Sequence, residues 1–261
     1  MTQPQSHPID VSVITVVRNG ARHIEQTLSS VANQRGARVE HVVIDGGSTD
    51  GTVEILRRHA DQLGYWVSEP DGGISDAMNK GAARARGEWL FFLQADDYLA
   101  ADEALVTALA QAQPDAGFIA CTLHYVEAAR TRAVVPSGFA PYLNLKHTLQ
   151  HQATLIRRVT FQRLGGYDTT LRVHMDYDLF LRAMRAGERA VVVPGLVLAC
   201  MRAGGLSGRR DWPSLSARFA EERAIHARYA VGLPGRVFYA IWWRLYLPYR
   251  FLRSRLLPRP G

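Results

Sequence analysis

Two adjacent carboxylates, Asp96 and Asp97, follow the apolar run at residues 89–93 (WLFFL) after a short spacer, Gln94-Ala95. Acids this close repel and raise each other's pKa unless a cation lies between them. Hard oxygen ligands at the end of a buried strand suit Mg²⁺ or Mn²⁺, above all when a diphosphate completes the shell. The plainer reading makes the pair the start of a loop that caps a following helix, with Asp102 and Glu103 in its first turn. Further acids stand at comparable places: Asp45 ahead of GGSTDG, Asp71 in SEPDGG, and Asp176 and Asp178 in HMDYD.

The elements that must position these acids follow from the apolar pattern. Residues 11–17 (VSVITVV) and 39–44 read as buried strands, and 65–67 and 89–93 as two more. Helical spacing of apolar residues fills 21–33, 52–59 and 74–85 between them. Strand then helix, four times over, predicts a parallel sheet covered on both faces. In such a sheet ligands bind at the carboxyl ends of the strands. That rule puts residues 15–19, 45–50, 68–73 and the Asp96-Asp97 pair along one edge. The Gly-rich DGGSTDG lacks the dinucleotide spacing, and no phosphate-loop motif occurs.

The second half is less regular. Residues 116–126 read as a strand, 127–150 as loop, 153–156 as a short strand and 159–164 as a short helix ending at Gly165-Gly166. A helix is expected over 179–186, a strand over 190–193, a flexible turn at 204–208 and an amphipathic helix over 213–229.

The chain has 261 residues, 47% hydrophobic and 21% charged, which is a globular composition. Its two cysteines, Cys121 and Cys200, are too few for a disulfide framework and read as buried thiols in a reducing compartment. Neither has neighbours at zinc-ligand spacing. Residues 1–10 read as a disordered lead-in without a signal-peptide pattern. No stretch is long and apolar enough to span a bilayer, so a cytoplasmic location is expected. The formal net charge of +7 implies anionic partners.

The C-terminal stretch stands apart. No acid follows Glu222, and residues 237–258 mix Trp242, Trp243, Tyr246, Tyr249 and Phe251 with Arg244, Arg250, Arg253 and Arg255. That composition suits a helix lying in the interface of an anionic membrane, kinked at Pro248. The competing reading packs the helix on the domain with its arginines in water. Nucleic acid is not an expected partner, because the segment is short and matches no recognition module. The domain division is a lead-in at 1–10, a catalytic domain at 11–210 and a helical extension at 211–261.

The segments ITVVRN, VIDGGSTDGT, SEPDGGISDAMNKGAARARGEWLFFLQADD and HMDYDLFLRA, in that order, resemble family 2 glycosyltransferases with the GT-A fold. The likeness is to bacterial polysaccharide and lipopolysaccharide enzymes and runs from about Val11 to Gly205. It implies a Rossmann-like α/β fold and inverting transfer of a sugar from a nucleotide diphosphate sugar, UDP-linked in the common case, to an acceptor hydroxyl. It also implies Mn²⁺ or Mg²⁺, a glycan or lipid-linked acceptor, and work at the inner face of the cytoplasmic membrane. By the resemblance, Thr15 lies against the nucleotide, Asp45 and Asp71 contact base or ribose, and Asn79 and Lys80 face the diphosphate. Asp96 contacts ribose or donor sugar, and Asp97 binds the metal. Asp176 is the general base, with Asp178 as the alternative; His151, Gln152 and His174 stand on the acceptor side.

Two departures from the family pattern matter. Gly46 replaces the second acid of Asp-Asp-Gly-Ser, and Met175 replaces the Glu before the base. They leave room for a non-catalytic nucleotide-sugar-binding scaffold. A sugar-phosphate nucleotidyltransferase is the other alternative, but Arg18-Asn19-Gly20-Ala21 does not supply the Gly-rich basic loop it needs after the first strand.

Overall fold

The structure is a computed structural model and describes residues 9–127, 130–203 and 211–256. Two compact units result, Met1–Ala203 and Gly204–Gly261. The division therefore falls before residue 210. The turn expected at 204–208 lies outside the described residues, as do most of the lead-in and residues 257–261.

The first unit is built on strands β1 (Val11–Val17), β2 (Val39–Asp45), β3 (Tyr65–Ser68) and β4 (Trp89–Phe92). Helices α1 (Ile24–Ala32), α2 (Thr52–Arg58) and α3 (Ile74–Arg84) connect them. Beyond β4 come β5 (Tyr98–Leu99), α4 (Ala104–Leu109), β6 (Ala116–Glu127), β7 (Arg130–Val134) and β8 (Thr154–Arg157). Helices α5 (Arg158–Arg163) and α6 (Met175–Arg185) precede β9 (Arg189–Arg202). The nine strands form one sheet in the order β3-β2-β1-β4-β8-β6-β9-β5, with β7 paired to β6. The first four strands are mutually parallel, and β8 enters antiparallel between β4 and β6.

Register decides where the polar strand ends fall. Val17 pairs with Asp45, and Asp45 with Ser68, so three carboxyl ends share one row. Ile14 pairs with Phe92, which brings Gln94 to Asp97 out at the same edge. Both faces of β1 and β4 are buried, which is why those runs are apolar without alternation.

Three expectations fail for local reasons. Residues 130–134 form a strand where a loop was expected, because an exposed edge strand needs no apolar run. β9 runs to Arg202 rather than stopping at 193: Pro194 and Gly195 fall in a bulge, where the register jumps from Cys121–Val193 to Thr122–Val197. Helix α6 begins at Met175, a full turn before 179, with Asp176 and Asp178 in the first turn where acids complement the helix dipole. Both cysteines are buried and free.

The second unit is a helical hairpin, α7 (Trp212–Tyr229) and α8 (Gly232–Leu256). Asp211 caps α7, its Oδ1 accepting from Ser214 N at 2.9 Å. Leu215, Phe219 and Trp243 form the core between the helices. Trp243 Nε1 donates to His226 Nδ1 at 3.0 Å, and Tyr239 stacks on that imidazole. The helix continues through Pro248. No helix among the described residues is long and apolar enough to cross a membrane.

Candidate active site

The crevice at the carboxyl edge is assembled by loops that fasten to one another. Asn19 adopts a left-handed backbone (φ 56°). Its N–H donates to Ser48 Oγ at 2.7 Å, and its Oδ1 accepts from Thr49 N at 2.9 Å, so the turns after β1 and β2 are clipped together. Gly20 N donates to Thr52 Oγ1 and Ala21 N to Asp50 Oδ2, completing the seam.

Several expected ligands turn out to build this frame. Thr15 is not against the crevice: it sits two residues inside β1, fully buried, and its hydroxyl bonds His41 Nε2 at 2.9 Å. Burial pushes that imidazole down to about 3, so His41 is neutral. Asp45 is also fully buried. Its Oδ2 accepts from Ser68 Oγ at 2.6 Å, Ser48 N at 2.9 Å and Gly47 N at 3.2 Å, while Oδ1 takes the Ser48 hydroxyl. Asp45 therefore shapes the Gly-rich loop and joins it to β3. Asn79 spends both ends of its amide on the Tyr167 backbone, at 2.8 and 2.9 Å, tying α3 to the segment before α6 rather than facing a diphosphate. Lys80 lies 3.2 Å from Glu69 and 3.4 Å from Asp76, bracing the loop between β3 and α3. The hydrogen bond to Glu69, helped by Asp76, raises its pKa.

Asp71 and Asp96 are the open acids. Asp71 Oδ1 accepts from Gly73 N at 2.8 Å. Its other oxygen lies directly over Gly46, where any Cβ would overlap it. The missing acid of the β2 loop is thus explained: the Asp71 carboxylate fills the room a side chain at 46 would need. Asp96 is half-buried, and among the described residues its carboxylate has no hydrogen bond or ion pair.

Asp97 faces the other way. It is 1% exposed. Oδ1 accepts from Arg202 N at 3.2 Å, and buried Oδ2 has no partner. Burial first, and the Asp96 charge second, push its carboxyl well above the ordinary range. A carboxylate pair with an orphaned buried oxygen fits a divalent cation. Asp96 presents the accessible oxygens, and Asp97 is enclosed with its unpartnered Oδ2. Among the described residues no three His, Cys, Asp or Glu side chains group as a metal cage.

The acceptor-side residues form a chain back to this strand. His151 Nδ1 bonds Asp176 Oδ2 at 2.8 Å, and His151 Nε2 lies 3.2 Å from Gln94 Nε2. The Gln94 amide nitrogen only donates, so His151 Nε2 accepts and Nδ1 carries the hydrogen given to Asp176. Asp176 Oδ1 accepts from Tyr177 N at 2.8 Å, and the residue is 4% exposed. Burial pushes this carboxyl up, but the His147, His151 and His174 imidazoles outweigh it and hold the carboxyl well below the ordinary range. Burial also pushes His147 down to about 4, so near neutral pH the His151 hydrogen bond carries that stabilisation. Gln152 turns away, its Nε2 toward Met201 Sδ at 3.6 Å. His174 is the N-cap residue of α6, its ring 5.5 Å from that of His147. Asp178 is buried against Arg182 Nε at 2.8 Å, and Arg182 reaches the carbonyls of Leu164 and Gly166. Asp178 braces α6 and the Gly165-Gly166 turn.

Two site residues were missed in the sequence. His147 lies in a stretch read only as loop. Arg202 ends β9 over the Asp96-Asp97 turn, its guanidinium reaching the Asp96 carbonyl and Gln26 and resting 4.7 Å above the Tyr98 ring. No local motif marks either.

The chain is similar to known proteins. The family model "Glycosyl transferase family 2" matches residues 12–173. An uncharacterized glycosyltransferase of Mycobacterium tuberculosis is 34% identical over 245 residues, covering 88% of this chain and 92% of its own. A PGL/p-HBAD biosynthesis glycosyltransferase of the same species is 33% identical over 180 residues, 66% of this chain and 68% of its own. Among solved structures, a mannosyltransferase from Pyrobaculum calidifontis in complex with GDP-Man and Mn²⁺ superposes with a TM-score of 0.69 at 22% identity, over 96% of this chain and 74% of that one. The S. aureus TarS 1-349 fragment with UDP-GlcNAc gives 0.67 at 20% identity over 84% of this chain; the chain spans 66% of that fragment's length. With its mixed sheet and carboxylate-bearing strand ends, the chain belongs to glycosyl transferase family 2 and has the GT-A fold.

Proposed function

We propose that the protein is a metal-dependent inverting glycosyltransferase, moving a hexosyl or N-acetylhexosaminyl group from a UDP-linked donor to a hydroxyl of a glycan or lipid-linked acceptor. The single observation that carries this is the pair of open carboxylates, Asp71 and Asp96, in the loops that follow β3 and β4 at the carboxyl edge of the sheet. Asp71 receives the base or ribose. Asp96, with Asp97 behind it, would hold Mn²⁺ or Mg²⁺, which when bound would offset charge on the leaving diphosphate.

Asp176 takes the acceptor proton. The acceptor O–H bond breaks, its oxygen bonds the anomeric carbon, and the bond to the diphosphate breaks with its electron pair leaving on the nucleotide. A carboxylate held this far below its ordinary pKa accepts a proton only late, as positive charge develops on the acceptor oxygen. His151 orients it and links it to Gln94 on the metal-motif strand. The neighbours holding UDP-GlcNAc and GDP-Man support a nucleotide-sugar donor, and a relative is named for PGL/p-HBAD biosynthesis; the role proposed for this chain is cell-surface polysaccharide or lipopolysaccharide assembly at the inner membrane face. Against the scaffold alternative, Gly46 leaves room for the Asp71 carboxylate, and Met175 is buried at the start of α6.

The test is release of nucleoside diphosphate from UDP-GlcNAc, UDP-glucose and GDP-mannose with Mn²⁺ and a panel of lipid-linked and glycan acceptors. Metal-dependent UDP release that rises with acceptor is expected. Pyrophosphate chemistry, or donor binding without turnover on any acceptor, refutes the proposal.

A further inference from the structure

The hairpin of the second unit buries one face of α8 and leaves the other apolar. Trp243, Tyr239 and Tyr246 pack toward α7. On the opposite side Val237, Phe238, Ile241, Leu245, Tyr249 and Leu252 are all exposed, Leu245 by 69%. At ~100° per residue these six fall within an arc of ~120°. A contiguous apolar stripe of this kind on a helix already packed on its other face marks an interaction surface.

Charge identifies what covers it. Arg244 and Arg253, both exposed, lie at the two margins of the stripe. Eight arginines and no acid follow Glu222. A protein partner that buried the stripe would have to neutralise or desolvate both arginine margins. A bilayer surface accepts the apolar stripe among its acyl chains and the guanidinium groups among its phosphates. We infer that this face of α8 is a docking surface for an anionic lipid bilayer, the helix lying parallel to the membrane with Arg244 and Arg253 on lipid phosphates. The helix does not span, since no window of it is apolar enough. The inference does not rest on the transferase reading, because binding to lipid is read without turnover.

The test is co-sedimentation of the full chain with vesicles of phosphatidylcholine alone and of phosphatidylcholine with phosphatidylglycerol, at low and high salt. Binding at least tenfold stronger to the anionic vesicles, falling as salt rises, is expected. Ile241→Glu with Leu245→Glu removes it by tenfold or more while metal-dependent UDP binding is unchanged. Arg244→Gln with Arg253→Gln, which leaves every apolar contact in place, weakens only the anionic component and stands in if the first variant misfolds. Equal binding to both vesicle types, or none, overturns the inference. So does a stripe variant that binds vesicles normally but loses self-association, which makes the occupant a second copy, or loses thermal stability, which makes it the protein's own first unit.

Discussion

Replacing Gly46 by alanine separates the proposed donor-binding role of Asp71 from its contribution to the fold. The added Cβ overlaps the Asp71 carboxylate and next meets the Cβ of Arg18 at 3.6 Å. Gly46 is not in the left-handed region, so its backbone accepts alanine without strain. The obstructing atom is the free end of a side chain, which swings aside and gives up one hydrogen bond, that from Gly73 N. The stability cost is about 1 kcal/mol, the worth of one partly exposed hydrogen bond. The binding cost is larger. A hydrogen bond from nucleotide to a charged carboxylate contributes ~1.5–3 kcal/mol, or roughly 10- to 150-fold in Kd. Calorimetric titration with UDP and Mn²⁺ reads this directly, and thermal unfolding reads the fold. Gly46→Ala and Asp71→Ala weaken UDP to a similar degree, and the double variant is no worse than either, since both remove the same contact. Gly46→Asp with Asp71→Gly returns an acid to the vacated room and recovers part of the affinity. Unchanged UDP binding in Asp71→Ala refutes the reasoning outright. Unchanged binding in Gly46→Ala, with Asp71→Ala weakened, refutes the link between the two positions.

Asp96→Asn lowers Mn²⁺-dependent donor affinity by about tenfold or more, whereas Asp97→Asn, which removes a buried charge lacking a partner on one oxygen, leaves thermal stability without metal equal or higher; the reverse pattern in paired metal titrations and melts returns the metal to Asp97. Asp176→Asn spares donor binding and lowers kcat by about 10²-fold or more, while His151→Ala lowers kcat with a smaller change in donor affinity and His151→Gln recovers part of it; normal transfer by Asp176→Asn eliminates it as base. Stability falls on acidification below about pH 6.5, because His41 and His147 are held neutral in the fold with pKa values of about 3 and about 4, and the unfolded chain takes up their protons first. Each adds up to ~1.4 kcal/mol per pH unit until its folded pKa is reached. Asp176, depressed in the fold, acts in the same direction below the ordinary carboxylate range. Denaturant midpoints that do not move between pH 7 and pH 5 sink this account.

The crevice was legible because burial on both faces forces parallel strands to be apolar, so each polar residue after such a run announces a strand end. The row of Val17, Asp45 and Ser68 follows from that pattern and from register. What stayed hidden was which polar side chains spend themselves on the fold. Asn79 bonds the backbone of Tyr167, 88 positions away, and Arg202 reaches back to Asp97 across 105. Contacts at such separations leave no periodicity or spacing to read. The long β9 was hidden by a different cause: Pro194 and Gly195 carry breaker signals that the bulge absorbs.

A sorting rule emerges from the acids themselves. Asp45 has four donors on its two oxygens and Asp178 has Arg182, so both are committed to structure, whereas Asp97 is enclosed under Arg202 with its Oδ2 unpartnered. Asp71 has one donor, and Asp96 has none among the described residues. A charged oxygen at a crevice without a protein partner is tolerable only where solvent or a ligand supplies one. Binding is therefore assigned to the acids the fold leaves unfinished. Asp176 lies between the two classes. Its oxygens are partnered by His151 and Tyr177 N, yet His151 Nδ1 is a side-chain donor that can move, whereas the backbone N–H cannot. Proton acceptance by Asp176 then requires the His151 bond to lengthen as acceptor enters. The rate should accordingly respond to His151 substitution even though His151 itself takes no proton.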